Sequence, residues 1–369
     1  MKQKQDVNVL DTFDINGFQH DLINWFEAEQ RDLPWRINKD PYRVWVSEIM
    51  LQQTRVEAVK PFYKNFMEKF PTLEALAEAH EDEVLKAWEG LGYYSRARNL
   101  HSAVKEVKER YGGKVPDTSK EIGKLKGVGP YTQGAILSIA YGIPEPAVDG
   151  NVMRVMSRIL SIWDDIAKPK TRQLFENIIR EVISKDNPSY FNQGLMELGA
   201  LICIPKNPAC LLCPVRSHCR AFHEGVQKEL PVKSKAKEPK VVPIVAGVFR
   251  TKSGGYIVNK RPKTGLLANM WEFPNVEVQE GISNHKQQLA YYMREAFGLE
   301  VSVDEYAATI QHSFTHRTWE IFVFFGAAEG TIQESDTLKI LTPEQFEQYT
   351  FSRSHKTIFE DCIERASLL

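Results

Sequence analysis

The apolar positions of the chain follow two different periods. Up to about residue 225 they recur at the spacing of an α-helix. Three helical stripes illustrate this: Phe18, Leu22, Trp25 and Phe26; Val84, Leu85, Trp88 and Leu91; Ile136, Ile139 and Ala140. Because strand-like alternation is scarce in this region, we expect residues 1–225 to form an all-α domain.

The second part of the chain changes to a strand period. Residues 244–249 and 319–325 are predicted strands, 251–255 holds two glycines that suit a hairpin turn, and 287–297 is a predicted helix. Residues 241–369 should therefore form an α+β domain. Between the two domains, residues 226–240 are predicted to be a linker, since the stretch 229–244 has four lysines, three prolines and no apolar period.

Size and charge exclude several classes of protein. A chain of 369 residues, 43% apolar and 26% charged, has the composition of folded domains rather than of a disordered or collagen-like protein. It has no run of 18 uncharged apolar residues, and its first residues lack the apolar core of a signal peptide, so we expect a cytosolic protein without a membrane span. The net charge is −1, but residues 101–250 hold 23 basic and 15 acidic groups, a surplus that favours a polyanionic partner.

Four cysteines lie close together near the end of the helical region. They follow the spacing C-x6-C-x2-C-x5-C, at Cys203, Cys210, Cys213 and Cys219, while Cys362 stands apart. Structural disulfides are uncommon in the cytosol, so the four thiols suit zinc or an iron–sulfur cluster. The spacing alone does not choose between the two.

A glycine-rich turn within residues 116–140 predicts a helix-hairpin-helix motif. It reads Leu-Lys-Gly-Val-Gly-Pro-Tyr-Thr over 125–132, and Gly127 and Gly129 would let backbone N–H groups approach a phosphate at the start of the next helix. About 20 residues later, Asp149 precedes a predicted helix. It is either a helix N-cap alone or a cap that also acts in catalysis.

Taken together, the hairpin, the Asp and the cysteines resemble the helix-hairpin-helix DNA glycosylases of the endonuclease III superfamily. Three further segments resemble its MutY-type adenine DNA glycosylase branch: Arg31–Arg36 (RDLPWR), Val46–Thr54 (VSEIMLQQT) and Gly90–Arg96 (GLGYYSR). In the second domain, Gly265–Pro274 resembles a Nudix fold, but the following run Arg294–Glu295 lacks the paired glutamates that would hold Mg²⁺. The resemblance therefore implies a helix-hairpin-helix glycosylase region joined to a Nudix-like domain that reads a base.

The resemblance also implies roles for individual residues. It assigns catalysis to Glu48, Asp149, Tyr131 and Asn151, and the adenine pocket to Arg31, Trp35, Leu51 and Gln193. Contacts with DNA are implied for Gln53, Thr54, Leu91, Tyr93, Gly127, Gly129, His312, Ser313 and Thr315. A four-iron four-sulfur (4Fe-4S) cluster is implied on Cys203, Cys210, Cys213 and Cys219, within the loop 203–219.

Two carboxylates with different protonation suit cleavage of an N-glycosidic bond. Glu48 lies on an otherwise apolar predicted helix, so burial should raise its pKa and keep it a proton donor, while Asp149 should stay ionised beside the sugar. Lyases of the superfamily carry a nucleophilic Lys where Tyr131 stands, and a phenol cannot form an imine. The expected enzyme is thus a monofunctional base-excision-repair glycosylase.

The expected partner is double-stranded DNA that contains adenine opposite 8-oxoguanine, bound by a monomer in the bacterial cytoplasm. Three other interpretations are weighed against it. A pyrimidine glycosylase/lyase is disfavoured by Tyr131, a nucleotide pyrophosphatase by the missing glutamates, and a non-catalytic damage sensor by the presence of both Glu48 and Asp149.

Overall fold

A computed structural model describes residues 9–235, 238–279 and 284–364. Within these residues the chain forms two compact units. The first unit comprises residues 9–79 and 99–235, and the second comprises residues 80–98 together with the described residues from 238 onward. Lys237 of the predicted linker lies outside the described residues. The predicted domain bounds did not anticipate that residues 80–98 group with the C-terminal part of the chain.

The first unit is helical, as the apolar period predicted. Its helices, in chain order, are α1 Ile15–Glu29, α2 Pro41–Leu51, α3 Val56–Lys69, α4 Leu73–Glu78, α7 Ser119–Ile122, α8 Pro130–Tyr141, α9 Gly150–Ile159, α10 Pro169–Val182, α11 Pro188–Leu201 and α12 Arg220–His223. Buried apolar side chains of α1, α9, α10 and α11 form one core. No helix among the described residues has the length and apolar character needed to cross a membrane.

The predicted hairpin connects α7 to α8. Gly127 has φ +81°, and a Cβ at this position would lie 2.8 Å from Cβ of Asn99. Both the backbone conformation and the lack of space therefore require glycine here. Gly129 is the N-cap of α8, and Pro130 occupies the first helical position, where a missing N–H costs nothing. The hairpin therefore presents exposed backbone at the N-terminus of a 12-residue helix.

Two helices belong wholly or partly to residues 80–98. Helix α5 spans Glu81–Ala87 and α6 spans Ser95–Tyr111. The apolar stripe from Val84 to Leu91 predicted a longer helix, and this is wrong for its last part. Trp88 caps α5, and Gly90 has φ +103°, a left-handed conformation that stops the helix.

The second unit is built on one mixed sheet. Its strands are β1 Lys240–Arg250, β2 Tyr256–Lys260, β3 Trp271–Glu272, β4 Asn275–Glu277, β5 Val301–Ser313, β6 Arg317–Ala328 and β7 Leu338–Leu341, with helices α13 His285–Phe297 and α14 Arg353–Phe359. The order is β3-β2-β1-β6-β5, with β4 paired to β1 and β7 to β2, and among these strand pairs β1 and β6 are parallel while the others are antiparallel. Apolar side chains cover both faces of this sheet and form two separate cores.

The structure places the end of the predicted linker 226–240 one residue earlier, because β1 begins at Lys240. Residues 240–244 show no apolar period in the sequence, yet they form the first half of β1, because their backbone pairs residue by residue with 317–321 of β6. Pro243 is tolerated within this strand at the position opposite Glu320. Pairing with a distant strand, rather than a local pattern, creates this part of the sheet.

Candidate active site

A pocket of about 170 Å³ in the first unit brings together the residues predicted for catalysis and for adenine. The predicted residues that line it are Arg31, Trp35, Glu48, Leu51, Thr54, Tyr131, Asp149, Asn151 and Gln193. They come from five separate parts of the chain, so the fold itself assembles the site.

Glu48 lies on α2 and is only 5% exposed. All residues of this helix from Val44 to Met50 are buried, so the carboxyl group of Glu48 is buried together with its apolar neighbours. The hydroxyl of Tyr131 donates a hydrogen bond of 2.7 Å to Oε2 of Glu48. Burial and, to a smaller extent, the charge of Asp149 raise the pKa of Glu48, while Tyr131 and Arg36 lower it, and the net result is a pKa of about 7. Near neutral pH this group can therefore hold and release a proton.

Tyr131 follows Pro130 in the first turn of α8, and its hydroxyl also lies 3.3 Å from Sδ of Met196. Burial, together with the nearby Glu48 and Asp149, keeps the pKa of this phenol well above its ordinary value. Tyr131 is thus a neutral donor directed at the carboxylate of Glu48.

Asp149 is the N-cap of α9, as the sequence predicted. Its Oδ1 accepts from the backbone N–H of Val152 at 2.7 Å, and its Oδ2 accepts from the side-chain amide of Asn151 at 2.8 Å. Arg154 in turn donates to Oδ1 of Asn151 and to the carbonyl of Cys203. The cap therefore fixes the carboxylate, and it also lines the same pocket as Glu48.

The side of the pocket predicted to hold adenine contains an ion-pair group that the sequence did not reveal. Glu197 on α11 accepts two hydrogen bonds of 2.8 Å from the guanidinium of Arg31 and one of 3.0 Å from Arg36. Burial tends to raise the pKa of Glu197, but these donors outweigh it and bring the pKa down to about 2. Gln193 accepts from Nε of Arg36 at 3.1 Å and donates to Oγ of Ser189. The four-residue interval between Gln193 and Glu197 is the sequence signal that could have placed both on one helical face.

Several predicted DNA contacts lie outside this pocket. Gln53 follows α2 with φ +57° and is exposed, and Tyr93 has φ +47° and is 45% exposed. Left-handed non-glycine residues of this kind cluster where a loop has a function. Leu91, by contrast, is 7% exposed and lines neither this pocket nor the one described next.

A second pocket, of about 590 Å³, lies within the second unit. It is lined by the predicted recognition residues His312, Ser313 and Thr315, which belong to β5 and to the turn before β6, and by Tyr93. Arg98, Arg317 and Arg353 also line it, which makes the pocket cationic. Burial, and the neighbouring Arg353, lower the pKa of His312 below its ordinary value, which favours the neutral ring.

The four clustered cysteines line one cavity between α9, α11 and α12. Nη1 of Arg158 lies 3.3 Å from Sγ of Cys203, while burial raises the pKa of the thiols of Cys213 and Cys219 to about 12 and 11. Within the described part of the chain, no three His, Cys, Asp or Glu side chains are grouped closely enough to hold one metal ion. The four thiols around one cavity are nevertheless suitable ligands for a thiolate-bound group. The guanidinium of Arg158 beside Cys203 favours the thiolate form.

Comparison with known proteins agrees with both units. Residues 46–181 match the family model of the HhH-GPD superfamily base excision DNA repair proteins, and residues 245–361 match that of the NUDIX domain. The solved structure of a thermostable thymine-DNA glycosylase is similar to 57% of this chain and 97% of its own, with 28% identity and a TM-score of 0.52. These matches define a base-excision repair glycosylase with an additional Nudix domain.

Similar sequences specify the base. The adenine DNA glycosylase of Rattus norvegicus is 33% identical over 404 residues, which cover 95% of this chain and 78% of the rat protein. That of Homo sapiens is 33% identical over 95% of this chain and 74% of its own length, and that of Buchnera aphidicola subsp. Schizaphis graminum is 37% identical over 72% and 76%. The chain belongs to the adenine DNA glycosylase family. The predicted family, fold class and enzyme class are confirmed, and the individual site roles stay predictions.

Proposed function

We propose that the protein hydrolyses the N-glycosidic bond of adenine paired with 8-oxoguanine, or with guanine, in duplex DNA, and that it leaves the DNA strand intact. The observation that supports this most directly is the placement of Glu48, with a pKa of about 7, in one pocket with the capped carboxylate of Asp149. A proton donor and a fixed anion are the two groups that departure of a purine from deoxyribose requires.

The reaction begins with the adenine nucleotide turned out of the helix into the pocket. Glu48 donates its proton to N7 of the base, so that adenine leaves as a neutral group, and Tyr131 holds the resulting carboxylate through its hydrogen bond. Asp149 stabilises the oxocarbenium-like sugar and directs the attacking water, which adds to the sugar carbon and passes its proton to the carboxylate of Glu48, so that the acid is restored. Asn151 orients Asp149 through their hydrogen bond.

Strand cleavage is not part of the proposed reaction. A lyase needs an amine that attacks the sugar carbon, but none of the described residues lining the pocket is a lysine. Tyr131 lies where lyases of the superfamily carry that lysine, and Lys126 is exposed before the turn. We also propose that the protein acts as a monomer.

The pocket of the second unit is proposed to read 8-oxoguanine. Thr315 is exposed at the turn between β5 and β6 and offers a hydroxyl that either donates or accepts, and the aromatic rings of Tyr93 and Phe314 provide surfaces for stacking. Arginines around the pocket suit the phosphates that flank the base.

We propose further that Cys203, Cys210, Cys213 and Cys219 hold a 4Fe-4S cluster. The four thiols surround one cavity, and the resemblance to the endonuclease III superfamily favours an iron–sulfur cluster over zinc. When bound, the cluster would cross-link the segment 203–219 through four Fe–S bonds. Arg158 would then balance part of the charge on Cys203.

The test is a gel assay with end-labelled duplexes that contain A·8-oxoguanine, A·G or A·C, each analysed with and without alkali. The proposal expects release of adenine, with strand breaks only after alkali and the fastest rate on A·8-oxoguanine. The Glu48→Gln variant is the control for a contaminating glycosylase. Breaks before alkali treatment, or equal rates on all three duplexes, would contradict it.

A further inference from the structure

The segment that leads into Asp149 has no regular structure of its own. Residues 142–149 lie between α8 and α9 and belong to no helix or strand. The direction in which Asp149 enters α9 must therefore be set by other parts of the first unit that contact this segment.

Two contacts hold the middle of the segment, at Glu145 and Pro146. Gly134 of α8 packs so closely that a Cβ there would lie 1.8 Å from the carbonyl oxygen of Pro146. The buried side chain of Asn192 donates to the carbonyl of Glu145 at 2.9 Å and to Oγ of Ser138 at 2.8 Å. Neither contact reaches the peptide group that joins Val148 to Asp149.

A side-chain hydrogen bond reaches that peptide group. Nη1 of Arg172, on α10, donates a hydrogen bond of 2.8 Å to the carbonyl oxygen of Val148. Val148 is itself 1% exposed, so the arginine satisfies a backbone acceptor at a buried position. The plane of this peptide determines where the Cα–Cβ bond of Asp149 points, since the helix fixes the other side of the residue.

We infer that Arg172 is a positioning residue for Asp149. It acts through the backbone and touches neither substrate nor reacting atoms. This inference rests on the role proposed for Asp149, and it adds a residue on α10 that no sequence motif indicated.

The structure offers a matched control on the same helix. Arg180 of α10 forms an ion pair of 2.7 Å with Glu145, four residues before Asp149 in the same segment, but its side chain is 54% exposed. It contacts a side chain rather than the peptide before Asp149. Loss of Arg180 removes a cation of the same kind without releasing that peptide.

A displacement of the Asp149 carboxylate should change the pH dependence of adenine release. Three groups act on Glu48: Tyr131 from α8, Asp149 from the start of α9, and Arg36 from the turn at residues 34–36. Of these, only Asp149 has a charge that raises the pKa of Glu48. If Asp149 moves away, the pKa of Glu48 falls, and since the protonated form is the active one, the decline of the rate at high pH moves to lower pH.

The experiment compares Arg172→Met, Arg172→Lys and Arg180→Met with the wild-type protein. Adenine release from an A·G duplex is measured under single-turnover conditions with saturating protein at several pH values, together with the dissociation constant and the melting temperature. For Arg172→Met we expect a rate about 10- to 100-fold lower, the size of effect that a misplaced group produces, and an alkaline limb displaced to lower pH. Arg172→Lys should recover most of the rate, and Arg180→Met should resemble wild type, with DNA affinity unchanged in all three.

Wild-type rate and pH profile in Arg172→Met would overturn the inference. So would a slow variant whose alkaline limb has not moved and which lysine does not rescue, because that result indicates general damage. If Arg172→Met does not fold, the lysine variant decides the matter, since it must still show a small displacement of the limb to lower pH. A different result would contradict the proposed function itself, namely release of adenine at the wild-type rate by the Asp149→Asn variant.

Discussion

At the scale of single residues, the environment of Glu48 determines both its ability to donate a proton and its effect on the free energy of unfolding. The sequence shows a glutamate among apolar residues, and the structure shows why this matters: every residue from Val44 to Met50 is buried, so the helix is enclosed on all sides there. The burial that raises the pKa of Glu48 to about 7 also opposes its ionisation in the folded state. Activity and stability should therefore respond to pH in linked ways.

We predict that the rate of adenine release falls as pH rises through about 7, and that Glu48→Gln abolishes release while DNA binding persists. The same variant should be more stable than wild type at high pH. The pKa of Glu48 is about 7 in the folded protein and 4.5 in the unfolded chain. The free energy of unfolding therefore falls as pH rises between these two values, by up to about 3 kcal/mol above pH 7. Urea unfolding at pH 5 and pH 8 checks this: a gain confined to pH 8 is expected, and equal stability at pH 8 would contradict it.

Glu197 is predicted to behave in the opposite way. Its pKa of about 2 lies below the unfolded value, so its ion pairs contribute stability above about pH 4.5 that is lost as pH falls toward 2. Glu197→Gln leaves Arg31 and Arg36 without their counter-charge and should lower the free energy of unfolding at pH 7 by about 3 kcal/mol. Denaturant unfolding at pH 7 and pH 3 measures the effect. A loss as large at pH 3 as at pH 7 would show that the charge is not the cause.

The sequence identified the residues of the pocket that lie in recognisable motifs. Glu48, Asp149 and Tyr131 were predicted from such segments, and the structure brings them together. It did not identify Glu197, because an isolated acidic residue on an amphipathic helix has the same pattern whether it faces water or two arginines. The sequence did not identify Arg172 either, because its hydrogen-bond partner is a backbone carbonyl 24 residues away and no side-chain pattern indicates such a contact.

At the scale of elements, the turn at the start of α8 determines which kind of chemistry the pocket supports. Gly127, Gly129 and Pro130 fix the turn through backbone conformation alone, and the next residue points its side chain at Glu48. The identity of residue 131 can therefore change without a change of the hairpin.

Tyr131→Lys should introduce strand-cleaving lyase activity. An amine in this pocket can attack the sugar carbon and form an imine, which borohydride reduces to a stable protein–DNA adduct. The measurement is adduct formation on a gel with an end-labelled A·8-oxoguanine duplex, and Lys126→Met in the same background is the control for the neighbouring lysine. Absence of any adduct would contradict the proposed direction of residue 131 toward the sugar.

Elements that depend on distant pairing were the least predictable from sequence. The first half of β1 is a strand because β6 lies beside it, although residues 240–244 have the composition of a linker. In α5 a favourable apolar stripe ends early, because Gly90 takes a left-handed conformation after Trp88. A local pattern contains neither piece of information.

At the scale of the whole molecule, the chain carries two pockets of different chemistry in two compact units. The pocket of the first unit contains the pair of carboxylates, and that of the second contains arginines, aromatic rings and hydroxyl groups. On the proposed function, the first breaks a bond and the second selects the DNA. Changes in the second pocket should therefore alter the choice of duplex without altering the chemistry.

Thr315→Ala tests this separation. Removal of its hydroxyl deletes one hydrogen bond to 8-oxoguanine, and a neutral hydrogen bond contributes about 0.5–1.5 kcal/mol, so the preference for A·8-oxoguanine over A·G should fall by about 2- to 10-fold. The single-turnover rate on A·G should stay the same, because guanine lacks the oxidised edge. Thr309→Ala is the matched control: it removes the same atoms from an exposed site on β5 that does not line the pocket. If both variants keep the wild-type preference, or if Thr315→Ala slows both duplexes equally, Thr315 does not select the base opposite adenine.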